Sequence, residues 1–278
     1  MIVWVLLATT VAVNGCLLDV ATLGDGVLVM GRDSIAWDGT PGIIAAEDIG
    51  CERFYQPVTS PEGTRVAVWA GSDDQDCILL IRNSGSDVLG PWEDAGLPSW
   101  DSSGGLWFTA DGRLLKDGEP AGVSLDAHHI SVSPEGDRVV YTNRDDNILV
   151  MTLETGYVNI VSEEHRFYGP FFTPTGWIVS PSLDGGIWVF TEDGAISVGA
   201  GDQPVWWPST DHIVFTRTTD DGESLLTSDL WSWSPEAGLE RLTDTPDILE
   251  TSPSPAAEGI YYVDATLGSL GFVEMDAP

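Results

Sequence analysis

Basic residues are scarce in this chain. Its 278 residues include 11 Lys and Arg against 44 Asp and Glu, which gives a formal net charge of −33, and Lys116 is the single lysine. A nucleic-acid-binding protein needs a basic surface that releases counterions from phosphates, and polybasic attachment to anionic lipid needs clustered cations. The composition therefore excludes both classes. It fits a protein that stays soluble in salty or crowded surroundings, or a compositional bias of the genome.

A hydrophobic run long enough to cross a bilayer is also lacking. Residues 2–13 form a short apolar stretch that ends before Cys16, and its length is typical of a signal-peptide core. The segment from Val13 to Cys16 resembles a bacterial lipobox, in which cleavage precedes a lipid-modified cysteine. We expect residues 1–15 to be a signal peptide and Cys16 a lipidation site, which places the protein in the periplasm or on the outer cell surface. The alternatives are a plain secretory signal and a first strand of the fold.

An internal repeat dominates the rest of the chain. The turn Ser60–Gly63 precedes an alternating strand, and the same phrase returns at Ser133–Gly136. Equivalent positions in seven such units are Val20, Pro57, Pro98, Ile130, Pro170, Pro204 and Thr251. Their mean spacing of about 38 residues matches one four-stranded propeller blade, and helical periodicity is not evident. Residues 16–278 are therefore predicted to form a single all-β β-propeller, with seven blades favoured and six as the alternative. An N-terminal strand near Leu17–Leu23 is expected to complete the last blade.

The repeat resembles the TolB-type, WD40-like propeller family of exported bacterial proteins. The motifs that carry the resemblance are Ser60–Gly63, Ser133–Gly136, Ile148–Leu153 and Arg241–Thr243. The resemblance covers about residues 17 to 275 and implies a propeller fold. It implies little about function, because such repeats occur in periplasmic proteins, in peptidase propeller domains and in other exported proteins. No α/β domain precedes the repeats, so the partner of the family's namesake is not carried over.

Polar residues recur where the innermost strand of each unit begins. The positions just before the seven equivalent ones are Asp19, Gln56, Leu97, His129, Gly169, Gln203 and Glu250. Because these strands surround the channel of a propeller, we predict a binding site at its mouth formed by Asp19, Gln56, His129, Gln203 and Glu250. Trp206 lies near a strand start and is added as a residue that stacks on a sugar or binds a protein partner. The alternative is a channel lined by polar groups without a ligand.

If Cys16 carries lipid, two cysteines remain, Cys51 and Cys77. An even number of cysteines fits a protein in an oxidising compartment. Both positions fall at the same end of one predicted blade, on strands that are not neighbours. A disulfide between them requires the connecting loop to curl inward. The alternative is two free buried thiols, and zinc is not expected because neither cysteine lies beside a histidine or in a Cys-x-x-Cys motif.

Signatures of catalysis and of cofactor binding are missing. The chain has no Gly-x-Ser-x-Gly, P-loop or dinucleotide motif, and His128 and His129 point to opposite sides of a strand. No cofactor is expected, although the acidic turns at residues 72–76, 143–147 and 219–222 leave calcium as a possibility. We expect a monomeric, non-enzymatic module that binds a protein or glycan partner at the channel mouth. The alternatives are a lyase or hydrolase with its site in the channel, which would need His129 and Glu250 buried together, and a structural scaffold.

Overall fold

The structure, a computed structural model, describes residues 17–24, 26–37, 43–208 and 210–275. These residues form seven antiparallel sheets and one short 3-10 helix, Ala46–Ile49. The predicted signal peptide and Cys16 lie outside the described residues. Within the described ranges, no helix has the length and apolar character needed to cross a membrane.

The first four sheets contain four strands each, hydrogen-bonded in chain order. Blade 1 consists of β1 (Asp19–Leu23), β2 (Gly26–Met30), β3 (Ser34–Trp37) and β4 (Ile43–Ala45). Blade 2 consists of β5 (Arg53–Thr59), β6 (Arg65–Gly71), β7 (Asp76–Arg82) and β8 (Gly85–Trp92). Blade 3 consists of β9 (Ser99–Trp100), β10 (Leu106–Ala110), β11 (Arg113–Lys116) and β12 (Glu119–Ser124). Blade 4 consists of β13 (Ile130–Val132), β14 (Arg138–Thr142), β15 (Ile148–Thr152) and β16 (Val158–Ser162).

The last three sheets continue the pattern, with one strand fewer in the seventh among the described residues. Blade 5 consists of β17 (Phe171–Phe172), β18 (Ile178–Pro181), β19 (Gly186–Thr191) and β20 (Gly194–Ala200). Blade 6 consists of β21 (Asp202–Trp207), β22 (His212–Asp220), β23 (Leu225–Ser234) and β24 (Gly238–Arg241). Blade 7 consists of β25 (Glu250–Ala256), β26 (Gly259–Asp264) and β27 (Ser269–Glu274).

The seven blades close into a ring. The innermost strand β1 contacts β5 of blade 2 on one side and β25 of blade 7 on the other. The prediction of a seven-bladed propeller is therefore confirmed. The expected closure is wrong in its detail, because Asp19–Leu23 pairs with β2 of its own sheet and does not complete blade 7. The two ends of the ring are joined by the Ser252 hydroxyl, which donates to the carbonyl of Leu18 at 3.1 Å.

The core consists of seven apolar clusters, one between each pair of neighbouring blades. Side chains alternate along a strand, so one strand supplies two clusters. In β6, Val66 and Val68 pack against blade 1, whereas Ala67 and Trp69 pack against blade 3. No blade could bury both faces alone, and stacking around a closed ring removes this difficulty.

The repeated Ser-Pro-Glu-Gly phrase is a turn that links the first two strands of a blade. The Ser60 hydroxyl accepts from the amide of Arg65 at 3.1 Å, and the Ser133 hydroxyl accepts from that of Arg138 at 3.0 Å. Both serines are buried at the base of an exposed turn, where their hydroxyls accept from the amide that begins the second strand. Thr173 in the degraded copy in blade 5 does the same. The motif therefore recurs because its hydroxyl completes the hydrogen bonding of the turn between the first two strands.

Candidate functional site

The innermost strands all begin on the same side of the ring, which we call the mouth face. Because the strands of each blade alternate in direction, this face also contains the loops between blades and the turns between second and third strands. The Ser-Pro-Glu-Gly turns lie on the opposite face. The predicted ring of polar residues therefore falls on the mouth face, around the start of the innermost strands.

Three innermost strands share a backbone irregularity at the mouth. Gln56, Gln203 and Ser252 have positive φ angles of 47°, 52° and 50°, and the strand register shifts at each of them. Each precedes a proline, as does Gly169 in blade 5, with a φ of 50°. A left-handed conformation at a residue other than glycine costs about 1–3 kcal/mol and persists only where the surrounding structure enforces it. The recurrence of this left-handed backbone in three blades shows that the packing at the mouth enforces the same conformation each time.

Hydrogen bonds connect the mouth residues of blades 5, 6, 7 and 1 into an arc. The Tyr168 hydroxyl donates to the Asp202 carboxylate at 2.7 Å, which links blade 5 to blade 6. The backbone amide of Ser252 donates to Oε1 of Gln203 at 2.9 Å and so links blade 6 to blade 7. The Ser252 side chain reaches Leu18 and also hydrogen-bonds Asp19 in blade 1. Two of the predicted residues, Asp19 and Gln203, are thus brought together through a third that sequence reasoning missed.

Asp19 is a carboxyl group enclosed by protein at the start of β1. Burial raises its pKa to about 7, and hydrogen bonds from the Val20 amide and the Ser252 side chain offset only part of that rise. The Val20 amide lies 2.8 Å from Oδ1 of Asp19. Since no cation is among the groups that shift this pKa, the carboxyl gains and loses its proton near neutral pH.

His129 is the last residue of the loop before blade 4, and its ring lies next to Gly169 at the start of blade 5. Burial, with a smaller contribution from the neighbouring His128, lowers its pKa to about 4, so the imidazole is neutral at pH 7. Its Nδ1 is buried and has no hydrogen-bond partner among the described residues. The His129 ring lies close to Gly169, since a Cβ there would meet Nε2 of His129 in ordinary van der Waals contact at 3.9 Å.

Glu250 is not a member of the ring. Its carboxylate is fully buried against blade 6, where it accepts from the Leu230 amide at 3.0 Å, from Thr245 at 2.8 Å and from the Thr243 hydroxyl. Burial raises the pKa of Glu250, and these hydrogen bonds partly counter the rise. The position equivalent to Gln56 and Gln203 is Ser252, two residues after Glu250. All three residues precede a proline, and this shared dipeptide pattern identifies Ser252 in the sequence. His129 and Glu250 therefore do not share a buried site.

Trp206 and Gln56 are placed differently from each other. Trp206 packs into the cluster between blades 5 and 6, and its indole nitrogen is buried without a partner among the described residues. Gln56 is half-buried at the mouth of blade 2, next to the exposed Tyr55. Tyr55 is therefore the aromatic side chain that the mouth presents to solvent in blade 2.

Cys51 and Cys77 are adjacent and buried. Their sulfur atoms lie 3.5 Å apart as free thiols, across the strand that separates them. Burial, together with the neighbouring Cys77, raises the pKa of Cys51 to about 12. The loop that contains Cys51 curls inward after the 3-10 helix, as a pairing of these residues requires.

The acidic turns use their side chains to complete turns. The side-chain oxygen Oδ1 of Asn143 accepts from the amides of Asp145 and Asn147, and Oδ1 of Asp221 accepts from those of Glu223 and Ser224. Within the part of the chain that the structure describes, no three His, Cys, Asp or Glu side chains are grouped so that they could hold a metal ion. The local hydrogen bonds account for the Asp and Asn content of these turns.

Exposed apolar side chains are concentrated on the mouth face. Half of the large exposed hydrophobic residues in the described ranges lie there: Leu18, Tyr55, Tyr168, Leu183, Leu225, Leu226 and Leu267. The opposite face has Tyr157, and the others lie on outermost strands. Leu225 and Leu226 sit on a hairpin that overhangs the mouth, because β22 and β23 continue beyond the last residue pair between β21 and β22.

Comparison with solved structures shows the fold of the chain, whereas comparison with family models and curated proteins finds no match. A chain in a solved structure described as "Crystal Structure of Mitotic Checkpoint Complex" is similar, with a TM-score of 0.65 and 15% identity over 93% of this chain and 87% of that one. The chain has a WD40-like propeller fold. At this level of identity the likeness extends to the fold alone.

Proposed function

We propose that the protein is a non-enzymatic binding module that docks a protein partner on its mouth face. The observation that carries this proposal is the asymmetry between the two faces of the ring: half of the large exposed apolar side chains among the described residues lie on the mouth face and one on the opposite face, while the rest lie on outermost strands. Large exposed apolar groups rimmed by polar residues are typical of protein-binding surfaces. Apart from Tyr55 in blade 2, the exposed apolar residues of the mouth face lie in the same blades, 5 to 7 and 1, as the hydrogen-bonded arc of Tyr168, Gln203, Ser252 and Asp19.

The arc gives this surface a rigid floor. Side chains held by hydrogen bonds and strained backbone lose little conformational freedom when a partner binds, so less of the interaction energy is spent on ordering them. The exposed Leu225 and Leu226 supply apolar contact area above that floor. The net charge of −33 favours a partner with a basic surface, because opposite charge accelerates encounter.

We further propose that the protein acts at the bacterial cell envelope, lipid-anchored through Cys16. The support is the short apolar N-terminal stretch, the lipobox-like segment and the TolB-like repeat motifs. In an oxidising compartment, Cys51 and Cys77 would form a disulfide, since their sulfur atoms are already adjacent. Mass spectrometry of the native protein tests both points. A diacyl or triacyl group on Cys16 is expected, and a chain that retains residues 1–15 with an unmodified Cys16 would exclude the anchor.

The docking proposal is tested by site-specific photocrosslinking in the native host. A photoreactive phenylalanine analogue is placed at Leu226, at Tyr168 and, as the matched control on the opposite face, at Tyr157. We expect the same partner to be captured from Leu226 and Tyr168 and not from Tyr157. Equal capture from Tyr157, or different proteins from the two mouth positions, would contradict a specific site on the mouth face.

A further inference from the structure

Blade 5 has an open groove of about 290 Å³ on the side that faces blade 4. Three segments form it: the loop before β17, the turn between β18 and β19, and the end of β20. The groove exists because side chains are missing from its floor, where Gly185, Gly186, Gly199 and Ala200 lie. The groove lies on the mouth face beside Leu183, but it contains none of the residues of the hydrogen-bonded arc, so the sugar-binding and docking proposals rest on different side chains.

The wall of the groove is an aromatic pair held in place by a carboxylate. The His165 ring stacks on Trp188 with 4.5 Å between ring centroids and 33° between planes. Nδ1 of His165 lies 3.2 Å from Oδ2 of Asp184, and the ring also meets Phe167 edge-on. These contacts fix the orientation of the imidazole before any ligand arrives.

The groove combines unpartnered donors and acceptors. The indole Nε1 of Trp188 borders the groove beside Gly186 and donates to no group among the described residues. The Ser197 hydroxyl borders the groove and is likewise unpartnered within the described ranges, and the exposed Asp184 carboxylate contacts His165 through Oδ2. The groove thus offers one fixed donor, a carboxylate acceptor and a hydroxyl that can act in either sense.

We propose that this groove binds a neutral hexopyranose. Hydroxyl groups of a pyranose accept from Trp188 and donate to Asp184, while the C–H face of the ring packs on the glycine floor and on His165. An organic cation would leave the Trp188 donor without an acceptor. An anionic sugar would be repelled by Asp184 and by the net charge of −33.

The proposal is tested by saturation-transfer NMR on the full chain with three probes: methyl β-D-galactopyranoside, methyl β-D-glucopyranoside and methyl α-D-mannopyranoside. At least one should show transfer that saturates at millimolar concentration. Gly186→Val should abolish it, because a Cβ there meets Trp188 Nε1, Gly199 O and Ser182 Oγ at 3.5 to 3.7 Å, which fills the groove without a clash. Asp184→Asn should weaken binding about tenfold by removing the charged acceptor.

Ala195→Val is the matched control, since Ala195 is exposed on the same strand pair but outside the groove. It should bind like the unmodified protein. No transfer from any of the three glycosides, or transfer that survives Gly186→Val, would overturn the site. Transfer to methyl β-D-glucuronide or to n-butylammonium that equals the best neutral glycoside would overturn the ligand class. Because the docking variants lie elsewhere, this proposal and the proposed function can fail independently.

Discussion

At the scale of single residues, the mouth contains an acid and a base whose pKa values shift away from their usual ranges through burial. Asp19 has a pKa of about 7 in the folded protein and 3.8 in an unfolded chain, so the folded state binds more protons between these values. The contribution of Asp19 to stability therefore falls as pH rises through 7. His129, with a pKa of about 4 against 6.5, has the opposite effect, and its contribution is lost as pH falls from 6.5 to 4.

Asp19→Asn should stabilise the protein more at pH 8 than at pH 5, by about 3 kcal/mol, since the ionised carboxylate no longer has to be enclosed while Oδ1 remains as an acceptor for Val20. The gain should shrink steadily as pH falls from 7 and vanish only near pH 3.8, where Asp19 is protonated in the unfolded chain as well. Urea unfolding of both proteins at pH 5 and pH 8 measures this, and the contribution of His129 cancels in the difference. A constant difference across that range would show that Asp19 does not titrate there.

Glu250 is a buried carboxylate whose role is to join blades 6 and 7. Glu250→Ala leaves the Leu230 amide and the hydroxyls of Thr243 and Thr245 without their acceptor, and we expect a loss of about 3 kcal/mol. Glu258→Ala, at an exposed position, is the control and should be neutral. Thermal unfolding of the two variants decides the matter, and equal melting temperatures would refute the structural role of Glu250.

At the scale of elements, the repeated turn is the device that makes one blade like another. Ser133→Ala removes the acceptor for the amides of Asp137 and Arg138 in this turn, and should cost about 1–2 kcal/mol. Ser86→Ala, on the exposed strand β8, should change stability by less than about 0.5 kcal/mol. Chemical denaturation of both variants provides the test. A neutral Ser133→Ala would mean that the motif recurs for a reason other than its hydrogen bonds.

The same elements show how far the sequence leads. Ser60 and Ser133 marked the blades correctly, because the chemistry of this turn is local and repeats with the strands. Glu250 lies two residues before the mouth position of blade 7, because the residue equivalent to Pro57 and Pro204 is Pro253 and not Thr251. The groove beside Trp188 was invisible in the sequence, since it arises from glycines at residues 185, 186 and 199 and from a histidine some 20 residues earlier that packs onto them.

At the scale of the whole molecule, Cys51 and Cys77 join the loop before blade 2 to the third strand of that blade. If oxidised, they close a loop of 26 residues, for which chain entropy predicts about 3 kcal/mol of stabilisation. The oxidised protein should therefore melt several degrees above the reduced one, and the Cys51→Ser/Cys77→Ser variant should melt near the reduced protein under both conditions. Identical melting with and without reductant would show that the pair stays reduced.

The central claim is that the mouth face, and no other face, binds the partner. The most direct measurement is the affinity of the crosslinked partner, once purified, for the unmodified protein, for Leu225→Ser/Leu226→Ser and for Tyr157→Ser. The account predicts at least a tenfold weaker affinity for the double variant and an unchanged affinity for Tyr157→Ser. Unchanged binding by the double variant, together with weakened binding by Tyr157→Ser, would contradict it.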